Sequence, residues 1–202
     1  MNLPNKLTTF RIALIPVFIV LCVELPESLS GLSASAQMGN FITAYNGFIR
    51  GDAYIAAGIV FVIAFITDAL DGFIARKYNL VTDLGKFLDP IADKLLVIAA
   101  LIVLNRNGAV GVWATLIIIS REFIITGVRL LAANKGIVLA ADGLGKLKTI
   151  TQSAALIMLL FRNFGIPFLA AVNAGGLIMY AAVVLTVISG AGYIIRNRTL
   201  FS

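Results

Sequence analysis

Residues 68–93 read Asp68-Ala69-Leu70-Asp71-Gly72-Phe73-Ile74-Ala75-Arg76, then eight residues, then Gly85-Lys86-Phe87-Leu88-Asp89-Pro90-Ile91-Ala92-Asp93. The carboxylates of Asp68 and Asp71 are three residues apart, and those of Asp89 and Asp93 four. Those offsets stack side chains on one face of a helix. Asp68 and Asp71 are therefore expected to project together from one helix and Asp89 and Asp93 from the next, with a turn containing Gly85 bringing the pairs face to face. Converging carboxylates repel one another unless a cation neutralises them. An all-oxygen donor set suits a hard divalent ion such as Mg²⁺ or Mn²⁺. Two solvated acidic helix ends would need no ion, but the flanking segments are strongly apolar, and carboxylates are costly to place at such ends.

Outward from this stretch the chain is apolar. Of its 202 residues 60% are hydrophobic and 13% charged, with a mean hydropathy of +0.99. A soluble domain is nearer half apolar and a quarter charged. The composition is that of an integral membrane protein, and the length accommodates one domain, 1–202, of about six spans of roughly 20 residues each. The expected fold class is all-α, a bundle of six transmembrane helices in the lipid bilayer. The net charge of +6 is not gathered into basic runs with interleaved aromatics, so nucleic acid is not expected as a partner. One cysteine, Cys22, excludes a disulfide within the chain and a thiolate metal cluster. No histidine is present, so a general base has to be a carboxylate, a lysine or a tyrosine.

In chain order, residues 1–11 are polar and basic, with Thr8 a candidate helix cap. The first apolar segment runs from about Ile12 to Val23. A signal-peptide core would look similar, and Ser33-Ala34-Ser35-Ala36 resembles a cleavage site, but five further apolar segments favour a retained span. Residues 24–50 read as an extracytoplasmic loop, with room for a short surface helix. Spans are expected near 53–70, 87–104, 110–131, 150–161 and 168–195, with turns at Asn105–Gly108 and Arg162–Pro167 and a basic loop at 132–148. Six spans put both termini on one side. Of the 16 lysines and arginines, only Arg50, Arg106 and Arg162 then fall on the other side. That bias sets both termini and the aspartates in the cytoplasm of a multi-pass cell-membrane protein.

The residues around the aspartates have two readings. Gly72, Ala75 and Gly85 would let a flat base or a pyrophosphate approach the backbone, or would let transmembrane helices pack closely. Arg76 offers a planar donor fork for phosphate, or an interfacial anchor. Further on, Arg121 lies about two turns inside a span, and Arg129 stands roughly two turns on from it along the same face. Glu122 adjoins Arg121 in sequence but on another face. With Lys135, Lys146 and Lys148 the two arginines would form a pocket for a phosphate dianion beside the aspartates. The alternatives are positive-inside anchoring for the lysines and an ion pair between Arg121 and one of the aspartates.

The pattern Asp-x2-Asp-Gly-x2-Ala-Arg-x8-Gly-x3-Asp-x3-Asp is matched at all eight of its fixed positions, and on it the chain resembles the CDP-alcohol phosphatidyltransferase (class I) family. The resemblance implies two metal ions, Mg²⁺ or Mn²⁺, held by Asp68, Asp71, Asp89 and Asp93, with Asp93 also the general base. It implies a CDP-diacylglycerol site at Gly72, Ala75, Arg76 and Gly85, closed by the Pro4-Asn5-Lys6-Leu7-Thr8 segment, with Asn5, Thr8 and Thr82 as nucleotide contacts; for Asn5 and Thr8, simple helix capping is the alternative. Leu3-Pro4-Asn5-Lys6-Leu7-Thr8, Ser120-Arg121-Glu122 and Gly145-Lys146-Leu147-Lys148-Thr149 further resemble bacterial phosphatidylglycerophosphate synthases within that family. This branch implies sn-glycerol 3-phosphate as acceptor, phosphatidylglycerophosphate and CMP as products, and a homodimer. Within the family the rival acceptors are inositol phosphate, serine or phosphatidylglycerol. Outside it the rival is a small cation transporter, whose ion path would also carry intramembrane carboxylates.

Overall fold

Long apolar runs punctuated by Gly, Asn and Pro favour helices joined by short turns, and the described elements are all helical. The computed structural model describes residues 3–26, 28, 36–51, 53–78, 83–137 and 143–198. Side chains are described for these except 3–6, 36, 69, 71–73, 75–76, 78, 83–87 and 89–90. The helices are α1 (Leu3–Val20), α2 (Ala36–Arg50), α3 (Ala53–Tyr78), α4 (Asp83–Arg106), α5 (Val112–Asn134), α6 (Gly143–Leu160), α7 (Pro167–Ala171) and α8 (Ala174–Arg196), with a 3₁₀ turn at Arg162–Gly165. The chain divides into two compact units, Met1–Val103 and Leu104–Ser202.

In the first unit α1 packs along α3. Phe18 and Phe61, both fully buried, meet with ring centroids 6.2 Å apart. Arg11 meets Asp68 at 2.5 Å. The seven-residue step up α1 from Arg11 to Phe18 is matched by a seven-residue step down α3, so the two helices run antiparallel. That register sets Thr8 at the level of Asp71. Thr8 lies within α1 and is 1% exposed, so it does not cap the helix as expected: α1 begins nine residues before the apolar run does. Residues 24–50 also hold more structure than a loop. Asn46 of α2 accepts from the Leu25 amide and donates to the Leu25 carbonyl, both at 2.9 Å. Arg50 pairs with Glu24 at 3.0 Å. The segment after α1 is thereby pinned along α2.

In the second unit α8 packs against both α6 and α5. The chain reverses between α6 and α8 through Arg162, Asn163, Phe164 and Gly165, which all have positive φ. Asn163 Oδ1 accepts from the Gly175 amide at 2.8 Å and ties that turn to the first turn of α8. Here too a helix starts early. α6 begins at Gly143, so Lys146 and Lys148 stand on a helix, not in the loop expected for 132–148. α4 likewise begins at Asp83 and takes Gly85 into its first turn, not into a connecting turn.

α8 shows which solvent this unit is built for. Its buried face carries Met179 and Tyr193 but is otherwise small or weakly polar: Gly175, Gly176, Ala182, Thr186, Ser189 and Gly190. Leu177, Tyr180, Val184, Val187, Ile188 and Ile195 are exposed on the other side. Small and weakly polar residues inside with large apolar ones outside is the reverse of a soluble helix and is the pattern of helices packed in lipid. Among the described residues, this 23-residue helix, mean hydropathy 2.0, alone is long and apolar enough to cross a membrane unaided. Residues 37–50 and 53–68 qualify only together, across a 64° bend. The other expected spans fall short where charge interrupts them: α5 is 23 residues long but carries Arg121, Glu122 and Arg129, and α6 opens with Lys146 and Lys148.

Candidate active site

The aspartate stretch is laid out on two helices. α3 continues unbroken past Asp68 and Asp71 through Gly72, Ala75 and Arg76, and α4 carries Gly85, Asp89 and Asp93. Helical geometry places positions 68 and 71 on one face of α3 and positions 89 and 93 on one face of α4. Two of the four carboxylates are described. Asp68 is half-buried, and a guanidinium that is almost fully buried, that of Arg11, sits against its Oδ1. Asp93 is exposed on α4 beside the fully buried Ala92. The side chains of Asp71 and Asp89 lie outside the described residues, as do those of Asn5, Gly72, Ala75, Arg76 and Gly85 on their helices, and Thr82 altogether. Among the described residues no three His, Cys, Asp or Glu converge. The described donors are oxygen only, and Asp68 is held in orientation by Arg11. Both features fit a hard divalent cation.

Arg11 was not singled out by sequence, because it reads as the last residue of a basic lead-in. Its signal was its position: it stands three residues after Thr8, directly before the apolar run, and so on the face that α1 turns to α3.

The second group of expected site residues lies in the other unit. Arg121 and Lys148 come together through Glu122. Arg121 Nη1 donates to Glu122 Oε1 at 3.3 Å, and Lys148 Nζ donates to the same oxygen. Lys148 is 3% exposed; its stem is packed while its charge rests on the carboxylate. Neighbouring helix positions diverge by about 100°, which argued against a pair between Arg121 and Glu122, but two long side chains bend far enough to close that angle. Arg121 Nη2 also donates to Ser189 Oγ at 3.5 Å, and its Nε is buried without a hydrogen-bond partner. Glycines make room for it. A Cβ at Gly190 would stand 3.1 Å from Arg121 Cγ, and one at Gly145 would stand 3.9 Å from Nη2.

The remaining cations are disposed differently. Arg129 donates from Nε to the Tyr193 hydroxyl at 3.3 Å and also lies 5.7 Å from the ring centre. Arg129, Lys135 and Lys146 are exposed. Ser189, Gly190 and Tyr193 were missed in the sequence because α8 offers no charge or motif; only their three-to-four spacing within an apolar helix hints at an inward face.

Chemically, the first unit presents the Asp68 carboxylate held by a buried guanidinium, and the second presents a buried ammonium and a guanidinium held on one carboxylate. A CDP-alcohol phosphatidyltransferase model matches residues 1–188 of the chain. The chain is 44% identical to the CDP-diacylglycerol–glycerol-3-phosphate 3-phosphatidyltransferase of Bacillus subtilis (strain 168), over 97% of this chain and 95% of that one. It is 38% identical to the protein of the same name from Rickettsia typhi, over 99% of both. For the Escherichia coli K12 protein of that name the identity is 35%, over 98% and 95%. A likeness that runs through both units and leaves out only the last residues has one meaning for descent: the chain belongs to the CDP-alcohol phosphatidyltransferase family.

Proposed function

We infer that this chain is the enzyme that transfers a phosphatidyl group from CDP-diacylglycerol to the 1-hydroxyl of sn-glycerol 3-phosphate, releasing CMP. The family membership supports the donor, and the names of the full-length relatives support the acceptor. The observation that carries the acceptor in this chain is the pair of cations, Arg121 and the buried Lys148, gathered on one carboxylate. A phosphate on the acceptor would give these two cations, which share Glu122, a second anionic partner.

In the mechanism, Asp93 accepts the proton of the acceptor's 1-hydroxyl. The freed oxygen attacks the phosphorus that bears the diacylglycerol. A new phosphoester bond forms, the bond to the CMP oxygen breaks, and CMP leaves with the electron pair. Arg121 and Lys148, joined in this role by Arg129, Lys135 and Lys146, hold the acceptor phosphate so that the hydroxyl meets the donor; positioning of this kind can supply much of a barrier reduction. Asn5, Thr8, Gly72, Ala75, Arg76, Thr82 and Gly85 bind the cytidine and pyrophosphate. Arg11 holds Asp68 in orientation from behind. Two Mg²⁺ or Mn²⁺ ions held by Asp68, Asp71, Asp89 and Asp93 would supply Lewis-acid stabilisation to the pyrophosphate oxygens. The setting is a single domain of six membrane spans, as a homodimer in the cell membrane, with both termini and the site facing the cytoplasm. The diacylglycerol tails remain in lipid.

Purified protein in detergent, given CDP-diacylglycerol, sn-glycerol 3-phosphate and Mg²⁺, is expected to release CMP and form phosphatidylglycerophosphate. Failure to release CMP with any alcohol would remove the enzyme reading. Release with inositol phosphate and not with glycerol 3-phosphate would remove the acceptor alone.

A further inference from the structure

An acidic residue has no obvious place in a site for a phosphate dianion, yet Glu122 stands in the middle of this one. Its Oε1 accepts from Arg121 of its own helix and from Lys148 of α6. Neither cation can solvate freely. Lys148 is buried, and Arg121 is 16% exposed in its side chain and packed tightly against Gly190. Two such cations repel one another, and a buried charge that loses its partner is strongly unfavourable. The carboxylate answers both needs and leaves the trio with one net positive charge. The guanidinium also retains donor capacity: its buried Nε has no hydrogen-bond partner and its bond to Ser189 is long. Buried donors of this kind ordinarily have an acceptor, and a phosphate oxygen would supply one.

We propose that Glu122 is a positioning residue of the acceptor site, a clamp whose carboxylate fixes the spacing of Arg121 and Lys148 for a phosphate dianion. It touches neither the reacting hydroxyl nor the donor. This rests on the reading of Arg121 and Lys148 as the acceptor-phosphate site. Glu122 works by holding both cations side by side before the acceptor arrives, so less ordering is left to do on binding.

The test is steady-state kinetics in detergent on the full chain. Glu122→Gln is expected to raise KM for sn-glycerol 3-phosphate by about tenfold or more, while kcat and KM for CDP-diacylglycerol each stay within about threefold. Glu122→Asp keeps the charge with a shorter reach and is expected to fall between the two, a rescue that a purely steric role would not give. In a Lys148→Met background, Glu122→Gln is expected to add less than about threefold, because its partner is already gone. An unchanged or lowered KM for the acceptor in Glu122→Gln would overturn the clamp, and so would full additivity with Lys148→Met. If Glu122→Gln does not accumulate in the membrane, Glu122→Asp decides: a KM equal to wild type sinks the idea. The two levels fail separately. A wild-type protein that takes no phosphorylated acceptor, or a Lys148→Met variant with wild-type KM, removes the acceptor site itself. A raised KM in Lys148→Met beside a normal one in Glu122→Gln removes only the clamp.

Discussion

At the scale of single residues, burial decides which half of an ion pair matters to the fold. Arg11 is 1% exposed and the Asp68 side chain 41%. Removing the aspartate strips a carboxylate from a cation that water cannot reach. Removing the arginine leaves a carboxylate that water can solvate. Asp68→Ala is therefore expected to lower stability by about 2–3 kcal/mol, against less than about 1 kcal/mol for Arg11→Met, whose apolar chain fills the space. The double variant should recover most of the loss. Thermal unfolding of the three proteins in detergent measures this, and equal losses in the two single variants would refute it. For Asp93 the prediction concerns chemistry. Asn keeps the shape but cannot take a proton, so Asp93→Asn should reduce CMP release by about a thousandfold or more with normal accumulation in the membrane. Turnover within tenfold of wild type would take the base role from Asp93.

At the scale of elements, glycines at helix contacts in the second unit differ in tolerance. A Cβ at Gly175 would lie 2.9 Å from both Asn163 Oδ1 and Leu159 Cδ2, and one at Gly145 no nearer than 3.9 Å to anything. Gly175→Ala is expected to cost about 1–3 kcal/mol by overpacking. Gly145→Ala should be neutral or slightly stabilising, as alanine is the better helix former; the melting temperatures of the two variants check both. The same comparison explains what was legible in the sequence. The apolar runs predicted helices, and the turn after Arg106, with Gly108 at φ +72°, fell where Asn105–Gly108 was read. Helix starts were misjudged at α1 and α6, in both cases because polar or basic residues open the helix: Asn5 to Arg11 in one, Lys146 and Lys148 in the other. Thr8, Arg11 and Lys148 among them are buried, and hydropathy cannot tell a polar residue turned inward from one turned to solvent. Helix α2 was nearly invisible for a related reason. What holds it is specific, Asn46 with Leu25 and Arg50 with Glu24, and not a long apolar run. Pairings such as Arg11 with Asp68 and Lys148 with Glu122 join residues 57 and 26 positions apart in sequence, beyond the reach of any local pattern.

At the scale of the whole molecule, α5 decides how the second unit meets a bilayer. It rises from a turn whose one described cation is Arg106 and ends at Asn134, beside Lys135. Its 23 residues extend about 34 Å, enough for a hydrocarbon core of about 30 Å. Three charges in those residues would ordinarily argue against a span. Two of them, Arg121 and Glu122, are paired with each other, and Glu122 also with Lys148. Arg129 lies against Tyr193 near the C-terminal end of the helix. Paired charges facing the protein are the form in which a bilayer tolerates them. Meanwhile Trp113, Leu116, Phe123, Ile124 and Leu130 remain exposed on the outside of α5, a surface suited to lipid. If α5 crosses, its two ends lie on opposite sides of the membrane. The chain has one cysteine, Cys22, and it is buried, so Cys22→Ser provides a silent background for placing others. In intact cells a cysteine at the exposed Asn107 should react with a membrane-impermeant maleimide, while one at the exposed Asn134 should react only after the membrane is opened. Equal labelling at the two positions in intact cells would mean that α5 does not cross. Labelling at Asn134 and not at Asn107 would keep the crossing and invert the orientation, moving Lys148 and the acceptor site away from the cytoplasm.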